Sequence, residues 1–418
     1  MRSALCGPSQ APAPCQFFAV IADTHIGYRV ADETGESRLP LESTRAFHNF
    51  SWAMDQVNHV EPDLLLVPGD LVTSGNWGHE DEYGPFMKII RRSRAPVLYA
   101  MGNHEGESTD PAAHRIACDD FTEHTGSPTV YHKKVNDWHW IIVNSSMNGN
   151  GGKGGWGVVG ADQIEWLKKE LTDVGPAEPI LLVAHHPFHQ PFAQPGDIVN
   201  SAEVLRAFDG HYLALTITAH FHENIEGRDD SGVLHFVVGG TSGHPADVYV
   251  GYRLFSIIGQ DLWSTWVPKN VHGETPLVQI CEIDGPGELD RDWEIGLPES
   301  RPLPSAGCLH IEYSGGPMEI FASGSRKEVL LCRVPRASGA ARAFLPLTAG
   351  ETACVYEGDD LRMRVRASGQ TLLNRLRMYH TGVQWHHHVL RHPIPLSMRE
   401  RPKDTSDEKK STRGKRGE

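Results

Sequence analysis

Seven side chains suited to holding cations recur along this chain, most of them just past a short apolar run. Phe17–Ala22 runs into Asp23 and His25, Leu64–Val67 leads to Asp70, and Val97–Met101 leads to Asn103. Ile180–Ala184 runs into His185, and Leu213–Ala219 into His220 and His222. Apolar runs this short read as strands buried on both faces, and ligands bind beyond the carboxyl ends of such strands. One carboxylate of the set could bridge two cations, with imidazoles, an amide oxygen and a second carboxylate filling both shells. A metal pair of that kind lowers the pKa of a bridging water and clamps the attacking and leaving oxygens of an in-line displacement.

The individual pieces carry little weight. Asp-x-His occurs at Asp23/His25, Asp137/His139 and Asp209/His211, and His-x-His at His220/His222 and His386/His388. Gly-Asp occurs at Asp70, Asp197 and Asp359. With 24 histidines such coincidences are expected, so position relative to a strand does the sorting. Asp137 and His139 lie before and beside Trp140–Val143, Asp209 and His211 precede their run, and Asp197 and Asp359 follow no comparable strand. His186 and His189 are set aside as surface or core histidines, and His386–His388 as a sheet or loop cluster.

The surviving series resembles the calcineurin-like metallophosphoesterases. Its blocks are Asp23-Thr-His25, Gly69-Asp70, Gly102-Asn103-His104-Glu105, His185-His-Pro187 and Ala219-His220-Phe-His222, over roughly residues 16 to 258. Ala219 stands where glycine is usual, and Glu105 where aspartate is commoner. The resemblance implies that Asp23, His25 and His222 hold one metal and Asn103, His185 and His220 the other, with Asp70 bridging. Two divalent ions, Mn, Fe or Zn, suit that donor set. Gly69–Gly75 followed by Glu82-Tyr83, and the stretch from Trp156 to Leu171, look like class III cyclic-nucleotide phosphodiesterases. Thr73 stands where purple acid phosphatases carry a tyrosine, and the arginine-glycine block of serine/threonine protein phosphatases is absent. Ala22–Tyr28 is similar to the double-strand-break repair nucleases. A phosphodiesterase is therefore the first reading; a phosphomonoesterase, a metal-dependent nuclease and a non-catalytic scaffold are the alternatives. Silent members of the family typically lack a ligand or the histidine at the His104 position, and all of these are present here.

Once the cations cancel the charge of a phosphate ester, the leaving alkoxide still needs a proton. His104 is the candidate donor, since it follows Asn103 directly and can face substrate instead of metal. Glu105 either orients or charge-stabilises His104, or is an exposed loop carboxylate.

The elements around these residues have readable signals. Ser43 can cap a helix running to about Asn58. Tyr83, Phe86, Met87 and Ile90 share a helical stripe extending to about Ser93, with Pro85 placing its start. Ile164, Leu167 and Leu171 mark a third helix from Ala161 or Asp162, whose early acids suit the helix dipole. Strands alternate with helices up to about residue 185, which argues for an α/β layered core. The family's fold is a four-layer αββα sandwich with the site at its strand ends. The later runs, Leu213–Ala219, Leu234–Gly239 and Tyr252–Ile258, would form the second sheet. Glycine-rich Asn148–Gly157 reads as a loop near the cleft.

The 418 residues are enough for two domains. The boundaries read as a core over 16–262, a smaller, mostly β accessory domain over 263–395 and a charged, disordered tail over 396–418. The accessory strands would include Leu309–Tyr313, Glu328–Cys332, Ala353–Tyr356 and Leu361–Val365. A net charge of −14 is a poor footprint for a processive nucleic-acid enzyme, so a small-molecule or nucleotide ester is the expected partner. Seven cysteines without Cys-x-x-Cys spacing read as reduced thiols. The first sixteen residues lack an apolar leader core, and no stretch reaches membrane-span length. A cytoplasmic enzyme is the plain expectation, with its assembly state open.

Overall fold

The structure, a computed structural model, describes residues 15–28, 40–75, 81–106, 108–148, 155–188, 196–244, 246–247 and 249–269, and, with short breaks, 277–391. In chain order the first part contains β1 (Cys15–Val20), α1 (Arg45–Val60), β2 (Leu64–Pro68), α2 (Tyr83–Ile90), β3 (Val97–Ala100), α3 (Asn103–Gly106) and α4 (Pro111–Thr125). There follow β4 (Tyr131–Val135), β5 (Trp138–Ile142), the short pair β6 (Met147–Asn148) and β7 (Gly157–Val158), α5 (Ala161–Leu171), β8 (Pro179–Val183) and α6 (Ser201–Arg206). Then come β9 (Tyr212–Thr218), β10 (Ile225–Arg228), β11 (Leu234–Val237), β12 (Gly251–Ile258) and β13 (Asp261–Pro268).

Two six-stranded sheets face each other, with helices on both outer sides. On β1 and β2 the alternation of side chains explains why the runs are apolar throughout. Phe18, Val20, Leu64 and Leu66 pack between the sheets against Trp140, Leu181, Val183, Leu215 and Phe236. Their neighbours Phe17, Ala19, Leu65 and Val67 face the opposite way, against Phe50 and Met54 of α1, Phe86 of α2 and Phe121 of α4. On the far side Ile141, Ile180 and Leu182 meet Ile164, Leu167 and Leu171 of α5. A strand buried on both faces has no polar positions to spare, so its period-2 signal disappears. The αββα layering is as expected.

Strand membership differs in one respect. β12 does not join the second sheet; its residues Arg253–Ile258 pair antiparallel with the whole of β1. The second sheet is instead completed by β5 and β8, in the order β10-β11-β9-β8-β5-β4. The sheets also divide later than residue 262. β13 pairs with β12 from Asp261 to Pro268, and the last strand, β22 (His386–Val389), returns to pair with β13. His386–His388 therefore sit on a sheet edge, where His386 pairs with Glu226 and His387 with Asp261.

Helix α1 is capped by Thr44, whose side chain accepts from the Phe47 amide, not by Ser43, which ends a preceding 3₁₀ turn. α2 starts at Tyr83 and puts Pro85 inside its first turn, and α5 begins at Ala161 as expected. Among the described residues α4 carries no expectation above, although Asp110 caps it and Pro111 opens it.

The remaining strands form two four-stranded antiparallel sheets: β14 (Leu277–Leu289), β15 (Trp293–Gly296), β16 (Gly307–Gly315), β17 (Met318–Ser323), β18 (Glu328–Val334), β19 (Ala337–Leu347), β20 (Arg362–Ala367) and β21 (Thr371–Thr381). Leu309, Ile311, Ile320, Val365 and Leu376 close their shared core. The strand expected at Ala353–Tyr356 and the tail at 396–418 lie outside the described residues. Phe344 stacks on Phe17 of β1 at 4.7 Å, and Arg377 pairs with Glu61 at 2.9 Å, so this β-rich part is joined to the helical face of the first sheet.

His310 is buried at that junction beside Phe17 and Phe344, and neither ring nitrogen has a hydrogen-bond partner among the described residues. Burial first, then Arg377, Arg342 and Arg375, push its pKa down to about 3. The unfolded chain, with a histidine near 6.5, binds a proton that the folded chain refuses, so stability falls as pH drops from about 6.5 towards 3. His310→Leu is expected to stabilise the fold at pH 7 by on the order of 1–3 kcal/mol, since orphaned buried polar groups are removed, and so to raise the thermal midpoint. The gain should widen at pH 5. Paired melting curves at the two pH values check this, and a lower midpoint for the variant at pH 5 would contradict it.

Candidate metal centre

Each sequence-predicted ligand leaves the end of a core strand into the same cleft. Asp23 and His25 follow β1, Asp70 follows β2, Asn103 follows β3 and opens α3, His185 follows β8, and His220 and His222 follow β9. To converge there the backbone turns sharply. Asp23, His25, Asp70, His220 and His222 all have positive φ, between 41° and 75°. Residues with a Cβ adopt that region at a cost of order 1–3 kcal/mol each and cluster there at functional sites. Two glycines allow the close approach. A Cβ on Gly69, itself at φ +99°, would lie 2.6 Å from His185 Nδ1, and one on Gly102 would lie 2.2 Å from the Asp70 carboxylate.

Asp70 is the centre of the arrangement. Its Oδ2 lies 3.5 Å from His25 Nε2 and 3.2 Å from His185 Nε2, so one carboxylate oxygen faces both groups of ligands. On one side His25 and His222 bring their Nε2 atoms to 3.1 Å, and Asp23 Oδ1 is 3.9 Å from His222 Nε2. On the other, Asn103 Oδ1 is 2.9 Å from His185 Nε2 and 3.1 Å from His220 Nδ1. Asp23, His25, Asp70, His185 and His222 are buried.

The supporting contacts fix tautomers and loops. His185 donates from Nδ1 to the Pro68 carbonyl at 2.9 Å, leaving Nε2 for the centre. His222 Nδ1 lies 2.5 Å from Asp247 Oδ1, and Asp247 also accepts from Ser242 Oγ at 3.1 Å and the His244 amide at 2.9 Å. A carboxylate behind a metal-binding imidazole orients the ring and raises its basicity. Asp247 had no signal in the sequence, because it acts through a tertiary contact beyond the last motif block. Asp247→Asn is expected to weaken divalent-metal affinity by about 10–100-fold; calorimetric titration reads this, and an unchanged affinity would remove Asp247 from the supporting shell.

His104 is only partly buried. Its ring donates from Nδ1 to the Thr73 carbonyl at 2.6 Å, and its amide donates to Asp70 Oδ1 at 2.9 Å. Burial opposes its charge, but Asp70 and the Thr73 carbonyl prevail, so its pKa sits above the ordinary histidine value. Glu105 is not an exposed carboxylate, and its charge is among the influences that raise the His104 pKa. It is buried, and accepts from the amides of Asp70 at 3.0 Å, Gly102 at 2.6 Å and Val72 at 3.0 Å. It ties the Asp70 loop to the Asn103 loop. His186, set aside above, is buried against the cluster. One donor atom each of His185, His186 and His220 lie within 4.8 Å of one another, and His186 Nδ1 is 3.0 Å from Ser145 Oγ. His189 and most of the 148–157 loop lie outside the described residues.

The donors fit a pair of divalent cations better than they fit one another. Asp23 Oδ2 and His25 Nδ1 have no hydrogen-bond partner among the described residues. Burial lifts the Asp23 carboxyl to about 6, drives His25 well below the usual histidine range and takes His220 down to about 3. Burial also resists the charge on His185 and His222, yet Asp70 for the first, and Asp23 with Asp247 for the second, carry both rings up to about 9. Neutral and cationic imidazoles packed at 3–4 Å around two carboxylates are in conflict, and a divalent ion in each half relieves it.

Residues 18–224, which contain all five motif blocks, match the calcineurin-like phosphoesterase family. This chain carries a calcineurin-like phosphoesterase domain. The domain is 28% identical over 185 residues to a probable cyclic nucleotide phosphodiesterase of Rhodococcus erythropolis, covering 42% of this chain and 54% of that one. It is 26% identical over 167 residues to the 3',5'-cyclic adenosine monophosphate phosphodiesterase of Escherichia coli K12, covering 40% and 54%. The chain spans about half the length of the curated relatives it matches. Among solved structures it is similar to a dimetal phosphatase from Danio rerio, at 15% identity and a TM-score of 0.46, covering 62% of this chain and 97% of that one. Asp247 falls outside the matched segment of the phosphoesterase domain. No helix among the described residues is long and apolar enough to cross a membrane.

Proposed function

We propose that this phosphoesterase domain is a metal-dependent phosphodiesterase acting on small-molecule or nucleotide phosphate diesters. The observation that carries the reading is the position of Asp70, with one buried carboxylate oxygen facing both His25 and His185. In this account Asp23, His25, His222 and Asp70 hold one divalent ion, and Asn103, His185, His220 and Asp70 the other. Bound there, the pair supplies Lewis acidity to the phosphoryl group and a nucleophile at neutral pH.

The other residues do the work around it. With Nδ1–H committed to the Thr73 carbonyl, His104 has Nε2 left to hold a proton, and that nitrogen serves the leaving oxygen. Glu105 keeps the two ligand loops in register, and Asp247 keeps the His222 ring aligned. Names of relatives support the diester class, since they include cyclic nucleotide and glycerophosphodiester phosphodiesterases. Turnover of bis-p-nitrophenyl phosphate beside p-nitrophenyl phosphate, with Mn supplied, tests the reading. Faster diester turnover is the expected result, and a preference for the monoester would overturn it in favour of a phosphatase.

A further inference from the structure

One buried imidazole beside the seven ligands has a nitrogen that bonds to nothing. His186 follows His185 after β8, and its ring centre lies 5.0 Å from that of His185 and 4.4 Å from that of His220. His186 is buried, and its Nε2 has no hydrogen-bond partner among the described residues. Buried polar atoms are as a rule bonded, and one left alone is costly. An imidazole that only fills space gains nothing from that nitrogen.

The ring is held so that Nε2 carries a lone pair. Nδ1 lies 3.0 Å from the Ser145 hydroxyl and also bonds the Ser145 carbonyl. A carbonyl only accepts, so the hydrogen is on Nδ1. The His186 amide donates to Ser145 Oγ at 3.1 Å, and Gly157 of β7 lies so close that a Cβ there would come within 2.6 Å of His186 Cγ. His185 is arranged in the same way, with Nδ1 on the Pro68 carbonyl and Nε2 left over. Metal-binding histidines are oriented by such contacts.

The spacing suits a shared ion. One donor atom each of His185, His186 and His220 lie within 4.8 Å of one another. Nitrogens at about 2.0–2.1 Å from one ion stand up to about 4.2 Å apart, so ring movements of about 0.6 Å at most would seat all three. We propose that His186 Nε2 is a further ligand to the ion assigned to Asn103, His185, His220 and Asp70, and that this third imidazole makes that half of the centre favour Zn over Mn. The inference rests on the two-metal reading above. Imidazole suits Zn, whereas carboxylate and carbonyl oxygens suit Mn. The half built on His25 and His222 has two carboxylates, Asp23 and Asp70, while the half at His185 has only Asp70 beside the Asn103 amide.

Chain stripped with a chelator is titrated calorimetrically with Zn and with Mn, as wild type and as His186→Phe, which keeps a planar ring without the nitrogen. Wild type is expected to bind two ions of either metal, one site preferring Zn. His186→Phe is expected to weaken one Zn site by about 10–100-fold or more, since loss of an outer partner alone costs that much, and to shrink its preference over Mn. Two Zn ions bound equally well by both proteins would overturn the role of His186 and leave the two-metal reading intact. Fewer than two ions in wild type would overturn that reading, and the inference with it. Should His186→Phe fail to fold, zinc X-ray absorption of wild type loaded with a single equivalent decides: three imidazoles around the ion support the inference, and two overturn it.

Discussion

Asp70→Ala is expected to abolish measurable diester hydrolysis and to remove both bound metals, not one. Asp70 is the only residue whose side chain lies within 3.5 Å of ligands in both halves of the cleft among the described contacts. Its removal leaves Asp23 as the sole carboxylate among the proposed ligands, facing the rings of His25, His185, His220 and His222. Cations lost from a two-metal site take with them several kcal/mol of transition-state stabilisation. At 1.4 kcal/mol per tenfold, that amounts to about 10³-fold or more in rate. Asp70 Oδ1 also accepts from the His104 amide, so the proton donor would lose its anchor in the same step. Metal analysis of the purified variant beside a progress curve checks both effects. A variant that keeps one full equivalent of metal and a tenth of the activity would show that Asp70 serves a single ion.

His104→Ala separates proton donation from metal binding. His104 contributes no side-chain atom to the ligand cluster, so two metals should remain bound. Loss of a general acid typically costs about 10²–10⁴-fold, and the size of the loss should depend on the leaving group. An alkoxide cannot depart without a proton, whereas p-nitrophenolate departs unaided. Hydrolysis of an alkyl diester should therefore fall steeply, and hydrolysis of bis-p-nitrophenyl phosphate much less. Equal losses on both substrates would assign His104 to binding the phosphoryl group instead. Because the Nδ1–Thr73 contact fixes the tautomer, His104→Gln should not restore the alkyl activity.

Much of the site was legible in the sequence because each ligand is joined to an apolar run. A strand buried on both faces announces itself by composition, and the residue after it must leave the core, so the places of Asp23, Asp70, Asn103, His185 and His220 after such runs were readable, while their reading as ligands rested on the ordered series of blocks. The residues that hold the ligands have no such marker. Glu105 sits inside a motif block, yet its role in accepting three backbone amides depends on where the Asp70 and Gly102 loops meet. Asp247 lies 25 positions from the ring it orients. His186 neighbours a ligand in sequence, and only the turn after β8 brings it against His220. The same limit applies to the fold. β12 reads as one more apolar run, and nothing in its composition says that it pairs with β1 across more than 200 residues. Thr44 and Ser43 are chemically equivalent caps, and the 3₁₀ turn at Leu41–Ser43 decides between them.

The number of divalent ions held by wild type tests the central claim most directly. Chain stripped with a chelator and titrated calorimetrically with Mn is predicted to bind two ions per chain, and Asp70→Ala neither. A wild-type stoichiometry of one or none, in protein shown to be folded, would contradict a bridged pair built on Asp70.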